Sequence, residues 1–247
     1  MFKGGIPSMP HIKAFIKELQ LYESSNNDVC NPWKDWHPEL DIGREAPQIR
    51  ATHLENYLRQ RINQAKWIFV AEALGYQGGR FSGIAMTSER ILLGFHKEVD
   101  PSFVLSTSEL KRTSHSKNSL LNTAQRQKGF AEPTASIVWK EIIESNINPN
   151  HIILWNIFPF HPYDPKKGPL SNRTPCSTEL QKGVTYVQKL LNLCSSPKVV
   201  AIGKHSRDIL NQYGIENIHV PHPANGGAND FKAAIKLVFQ SDIVVRD

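Results

Sequence analysis

Cysteine is scarce in this chain, with only Cys30, Cys176 and Cys194 in 247 residues. That excludes a disulfide scaffold and fits a reducing compartment, the cytoplasm. Long apolar runs are missing too. Nothing approaches the ~20 residues of a membrane-spanning helix, and the opening stretch MFKGGIPSMPHIKAF has no apolar h-region, so neither a membrane anchor nor a secretory leader is expected. There is no internal repeat and no low-complexity tract. Acidic residues are outnumbered, 23 against 29 lysines and arginines, which leaves a net charge of +6 and a pI near 9.2. The excess favours a polyanionic partner such as nucleic acid, although many basic proteins bind nothing acidic.

What is present reads as a folded protein: 40% hydrophobic and 21% charged residues, in a length that suits one large domain or two small ones. Ile12, Phe15, Ile16, Leu19 and Leu21 give His11 to Glu23 a helical spacing. Ser25 to Ile42 is irregular around NPWKDWHP, whose Trp residues are expected to pack and anchor a loop. Glu45 to Asn63 carries a stripe of Ile49, Leu54, Leu58 and Ile62. Four short apolar runs then read as buried strands: Lys66–Ala71, His151–Phe158, Lys198–Gly203 and Asn217–Pro221. Helical patterns over Glu132–Asn146, Ser177–Leu193 and Ala228–Phe239 separate or follow them. Ser177 is a candidate N-cap, with Glu179 two residues on and therefore not a full capping box. Strands alternating with helices predict an α/β fold, a three-layer α/β/α arrangement around a central four-stranded parallel sheet. Arg112 to Lys128 breaks the pattern: it holds Arg112, Lys117, Arg126 and Lys128 and no acid. It is either a solvated surface loop or a phosphate-contacting arm.

In open parallel sheets ligands bind beyond the carboxyl ends of the strands, so the loops after the strands carry the chemistry. After the first strand comes AEALGYQGGRFSGIAMTSER, with Gly75, Gly78, Gly79 and Gly83. Glycines let backbone N–H groups approach an anion or a planar ligand, or simply make a tight exit from a strand. The spacing matches neither a dinucleotide nor a nucleoside-triphosphate loop. After the second strand, Asn156 ends an apolar run; it is a satisfied structural amide or a reader of a nucleobase edge. After the last strand, His222 stands between Pro221 and Pro223, which stiffen its backbone.

Taken in order, these segments resemble the motifs of the uracil-DNA glycosylase superfamily. AEALG (Ala71–Gly75) is similar to the water-activating motif, nearest the GEAPG form of the iron–sulfur-bearing branch. Asn156 resembles the uracil-reading Asn, and HPANG (His222–Gly226) the motif that supplies the catalytic His. The likeness runs from about Asn31 to Phe239. It implies a single domain over 1–247, with 1–44 a helix and an irregular extension packed on it. It implies a monofunctional glycosylase that flips a uracil or related deaminated base out of DNA and hydrolyses the N-glycosidic bond with water. Asn156 would bind the base edge, His222 would donate toward O2, and the Gly75–Gly79 loop, with Tyr76, would clamp the ring. No cofactor is required.

The departures from the family pattern are specific. Three cysteines, none closely paired near the N-terminus, do not provide the four-cysteine cluster. Leu74 replaces the family's Pro. Ala73 fills the slot of a water-activating Asp or Asn, which leaves Glu72 as the nearest carboxylate: a catalytic group, or a structural one bonding loop N–H groups. Met86 aligns with the base-stacking Phe, with Phe81 and Phe158 nearby as substitutes. Gly75 stands where strict uracil enzymes place a Tyr, leaving room for other bases. The loop Ala224, Asn225, Gly226, Gly227 has no bulky wedge, so single strands or mismatched duplex are the expected substrates. Arg173, Asn225, Gly226, Lys117 and Arg126 are the candidate DNA contacts, and a monomer is expected. Two other functions remain open: a catalytically weak nucleic-acid-binding relative, and a hydrolase of free nucleosides.

Overall fold

Burial on both faces is what makes a near-continuous apolar run a strand of a parallel sheet, and the four runs do pair in parallel. The computed structural model describes residues 9–106 and 110–243; the ends of the 1–247 span, including residues 1–8 of the N-terminal segment, lie outside them. The elements in chain order are α1 (Met9–Gln20), β1 (Val29–Cys30), α2 (Ala46–Arg61), β2 (Trp67–Ala73), α3 (Gly79–Ser82), α4 (Glu89–Leu92), α5 (Thr123–Lys128), α6 (Pro133–Glu144), β3 (Ile152–Phe158), β4 (His161–Pro162), α7 (Ser177–Asn192), β5 (Lys198–Ile202), α8 (Lys204–Gln212), β6 (Ile218–Val220) and α9 (Ala228–Ile243). The main sheet has the order β3-β2-β5-β6, all parallel and flanked by helices. The chain leaves β2 toward β3 on one side and later reaches β5 on the other. The carboxyl end of β2 is therefore the point where the strand order reverses, the place where α/β sheets open a crevice.

Several details differ from the sequence expectation. The first strand runs two residues further, so that Glu72 and Ala73 are still strand and stand in the sheet edge. A small antiparallel pair, β1 with β4, was not foreseen; two-residue strands carry no periodicity to read. The N-cap of α7 is Cys176, not Ser177, which puts Glu179 three residues on, where its carboxylate accepts from the Cys176 N–H at 2.8 Å. The acid thus does take the reciprocal capping position.

The irregular N-terminal segment is tied down at two points. Trp33 is buried and its indole N–H donates to the Gly83 carbonyl at 3.1 Å, whereas Trp36 lies at the surface under Arg44. Asp41, also buried, accepts from Arg50 at 2.8 Å and from Arg80 at 3.0 Å. Arg80 belongs to α3, inside the glycine-rich loop, so one buried carboxylate joins the N-terminal segment, α2 and that loop. Burial alone would raise the Asp41 pKa, but Arg80 and Arg50 outweigh it and hold the carboxyl below its ordinary value.

The basic segment is also anchored. Arg112 is half-buried and donates to the carbonyls of Ser114, Gln125 and Arg126, while Glu89 accepts from the N–H groups of Thr113 and Ser114 at 2.8 and 2.9 Å. Arg112 is a clasp rather than a free cation. Lys117, Arg126 and Lys128 are exposed.

Candidate active site

The switch point at the end of β2 holds a cavity of about 190 Å³. That is several times the space one water needs, enough for one small ring. Its walls bring together residues from every part of the chain that the motifs come from: Glu72 and Ala73 of β2, Gly75, Met86, Asn156 of β3, and His222 after β6.

Asn156 is fixed by register. It sits beside Ala71 in the β2–β3 ladder, and its Nδ2 donates to the Ala73 carbonyl at 3.0 Å. That bond orients the amide so that Oδ1, buried, finds no partner among the described residues. A buried amide oxygen left unsatisfied costs about 1–3 kcal/mol, and a ligand N–H removes that cost. Ala73 has no side-chain chemistry to offer; its carbonyl is the group that holds Asn156.

His222 sits at the mouth with an exposed surface. Its Nδ1 accepts from the Ala224 N–H at 3.1 Å, which places the proton of the neutral ring on Nε2. Partial burial lowers its pKa, and Glu72 opposes the shift, so the neutral form prevails at pH 7. Gly203 makes the approach possible: it has φ +86°, and a Cβ there would lie 3.2 Å from the His222 Cβ.

Among the described residues, Glu72 bonds no loop N–H group. Its partner is His205 at the start of α8, whose Nδ1 meets Oε1. Met86 is buried with φ +46°, a left-handed conformation rare for a bulky residue. The turn is held by the Ser82 hydroxyl, which donates to the Thr87 carbonyl at 2.6 Å.

The other candidates, Arg173 apart, fall outside the cavity wall. Phe81 is fully buried and stacks on Phe130 at 4.4 Å, and Phe158 packs among Tyr22 and Phe160 in the core, so neither faces the cavity. Tyr76 turns its ring to Phe130 and His161, while its N–H donates to Asn172 Oδ1 at 3.1 Å. Arg173 does line the cavity, but its guanidinium is engaged by Glu179 at 2.6 Å and by Asp28 at 3.0 Å. Such a doubly paired cation fixes the turn before α7 and has little charge left for a phosphate. Asn225 and Gly226 form an exposed tip with φ of 56° and 89°; they, Lys117 and Arg126 are not part of the wall.

Four wall or near-wall residues were not singled out from sequence: Glu132, Thr134, Asn172 and His205. His205 follows the third strand directly, and the strand-end rule applied there would have found it. Glu132 precedes Pro133 at the start of α6, and nothing local marks it.

No protein-family model and no curated protein matches this sequence. The fold is similar to the crystal structure of wild-type SMUG2 from Pedobacter heparinus, with a TM-score of 0.60 at 13% identity, over 96% of this chain and 99% of that one. At that identity the likeness shows a shared fold.

Proposed function

We propose that this chain is a monofunctional DNA glycosylase, which hydrolyses the N-glycosidic bond of uracil or a related deaminated base with water as the nucleophile. The observation that carries the reading is the meeting of Asn156 and His222, distant in sequence, in one ring-sized cavity at the switch point of the sheet. The shared fold with SMUG2, a DNA glycosylase of the uracil-DNA glycosylase superfamily, supports it.

The chemistry follows from the groups present. A flipped uracil offers an N–H to Asn156 Oδ1, whose orientation is already set by Ala73. The neutral His222 carries its proton on Nε2 and donates toward the base carbonyl on which negative charge collects as the bond breaks. A preformed donor at such an oxygen is worth about 3–4 kcal/mol. The sugar gains oxocarbenium character, as in glycoside hydrolysis. Glu72, held by His205, supplies a carboxylate at the cavity rim to stabilise that cation and to orient the attacking water. Gly75 leaves open the side of the cavity nearest Glu132, and Met86 offers an apolar surface to the ring face.

Residues 1–247 act as one unit in this reading, and in the 1–44 segment Asp41 ties the part around it to the glycine-rich loop. Single-stranded or mismatched DNA is the preferred substrate, because the Ala224–Gly227 tip carries nothing bulky to fill the hole left by an extruded base. An oligonucleotide with one uracil, treated with protein and then hot alkali, breaks at that position if the reading is right. An intact strand after prolonged incubation rejects it, and release of uracil from free deoxyuridine alone would favour the nucleoside hydrolase.

A further inference from the structure

A second carboxyl shares the cavity with Asn156. Glu132 lies over the glycine-rich turn: its Oε1 is 3.2 Å from where a Cβ on Gly75 would be, and its Oε2 occupies the space that a side chain on Gly78 would take. Those two glycines leave that space free for it. Oε2 is sealed from solvent and finds no hydrogen-bond partner among the described residues.

Among the described residues no cation is placed to neutralise it. The titratable and charged groups around the cavity are Glu72, Arg173 and His222. Arg173 is committed to Glu179 and Asp28, and Glu72 to His205. On the glycine-rich turn, Arg80 belongs to Asp41. His161, in contact with Asn172, is neutral, its pKa pushed by burial to about 3. On α6 itself, Glu141 and Glu144 pair with Lys232. A carboxylate without a counter-ion or a donor is costly in such a place, whereas a carboxylic acid is not. Burial accordingly raises the Glu132 pKa to about 7.

We propose that Glu132 is a second base-reading residue, whose neutral carboxyl donates a hydrogen bond to a ring carbonyl of the extruded base and so selects carbonyl-bearing bases over amino-bearing ones. The sealed Oε2 has no acceptor for a proton, so the proton sits on Oε1, the oxygen beside Gly75. A carbonyl oxygen accepts that proton; an exocyclic amine meets it donor to donor. Once ionised, the same carboxyl repels the carbonyl. The inference rests on the glycosylase reading and adds to it a discriminating contact and a pH dependence.

The test compares wild type, Glu132→Gln and Glu132→Ala in single-turnover release of uracil from an oligonucleotide, from about pH 6 to about pH 8. Binding of free uracil is measured in parallel. Wild type is expected to lose rate and uracil affinity as pH rises through about 7. Glu132→Gln, which cannot ionise, keeps a donor and holds its rate across the range. Glu132→Ala loses about tenfold at low pH, the value of one hydrogen bond to the base. A Glu132→Ala protein as fast as wild type, or a Glu132→Gln protein with the wild-type pH decline, overturns the role of Glu132 while the glycosylase reading stands. A wild-type protein that neither releases nor binds uracil at any pH overturns both.

Discussion

At the scale of single residues, two side chains define the site by what they lack. Asn156 has one end tied to the Ala73 carbonyl and the other end empty, and His222 has Nδ1 tied to Ala224 and Nε2 free. Each is oriented before any ligand arrives, which is what makes a hydrogen bond useful in a transition state. His222→Ala and Asn156→Ala should each lower single-turnover release by about two to three orders of magnitude, with DNA affinity in a gel-shift assay nearly unchanged. Loss of affinity in step with loss of rate would show that the two residues merely hold DNA. Glu132 carries a stability consequence of its own. Its folded pKa is raised, so the folded state favours the protonated form; the contribution is fully present in acid and is lost as pH rises through about 7. Glu132→Gln should therefore stabilise the fold more at alkaline than at acid pH in paired denaturant titrations. The two motif residues were legible in the sequence because Asn156 interrupts an apolar run and His222 comes just after one. Glu132 was not read, since a helix-start acid carries no spacing signal, and His205 only because the strand-end rule was not carried to the loop after β5; the meaning of both comes from what folds against them.

Among the elements, the parallel strands were plain from their unbroken apolar runs, and the longer helices from their stripes. α8 was missed because its buried side is narrow: Ser206 and Leu210 are its buried residues. α3, α4 and α5 span four to six residues, too short for a period to emerge. Contacts made by glycine were equally hidden. Gly183 lies where α7 crosses β3, and a Cβ there would run into the Ile157 carbonyl. Alanine gains about 1 kcal/mol of helix propensity, but overpacking against backbone costs about 1–3 kcal/mol. Gly183→Ala should thus be net destabilising, by up to about 2 kcal/mol, in chemical denaturation; a stabilised variant would mean that the helix can slide away at no cost. Gly203→Ala acts on chemistry instead. Its positive φ is costly for alanine, and the new methyl lies against His222, so kcat should fall with little change in KM.

For the molecule as a whole, the positive charge favours an anionic partner, but does not say where it would bind. Of the basic segment, Arg112 is consumed by backbone carbonyls while Lys117 and Arg126 face solvent. Replacing Lys117 and Arg126 together by alanine should weaken DNA binding and reduce the slope of log affinity against log salt by roughly two; an unchanged slope would place the DNA elsewhere. Rates on a single strand or a U·G mismatch should exceed those on a U·A pair, as opening a sound pair costs a few kcal/mol that no wedge recovers, and faster cleavage of U·A would contradict this. The buried Asp41 cluster connects distant parts of the chain. Asp41→Asn leaves Arg50 and Arg80 without their counter-charge and should cost about 3 kcal/mol or more. Because its folded pKa is lowered, the stability that Asp41 confers is present at neutral pH and disappears as pH falls through that value. A fragment starting at residue 45 would keep all three motifs, yet bury two guanidinium groups with nothing to balance them. The shortest stable version of this protein is therefore longer than the stretch its motifs delimit, and anyone trimming it for crystallography or engineering should cut elsewhere.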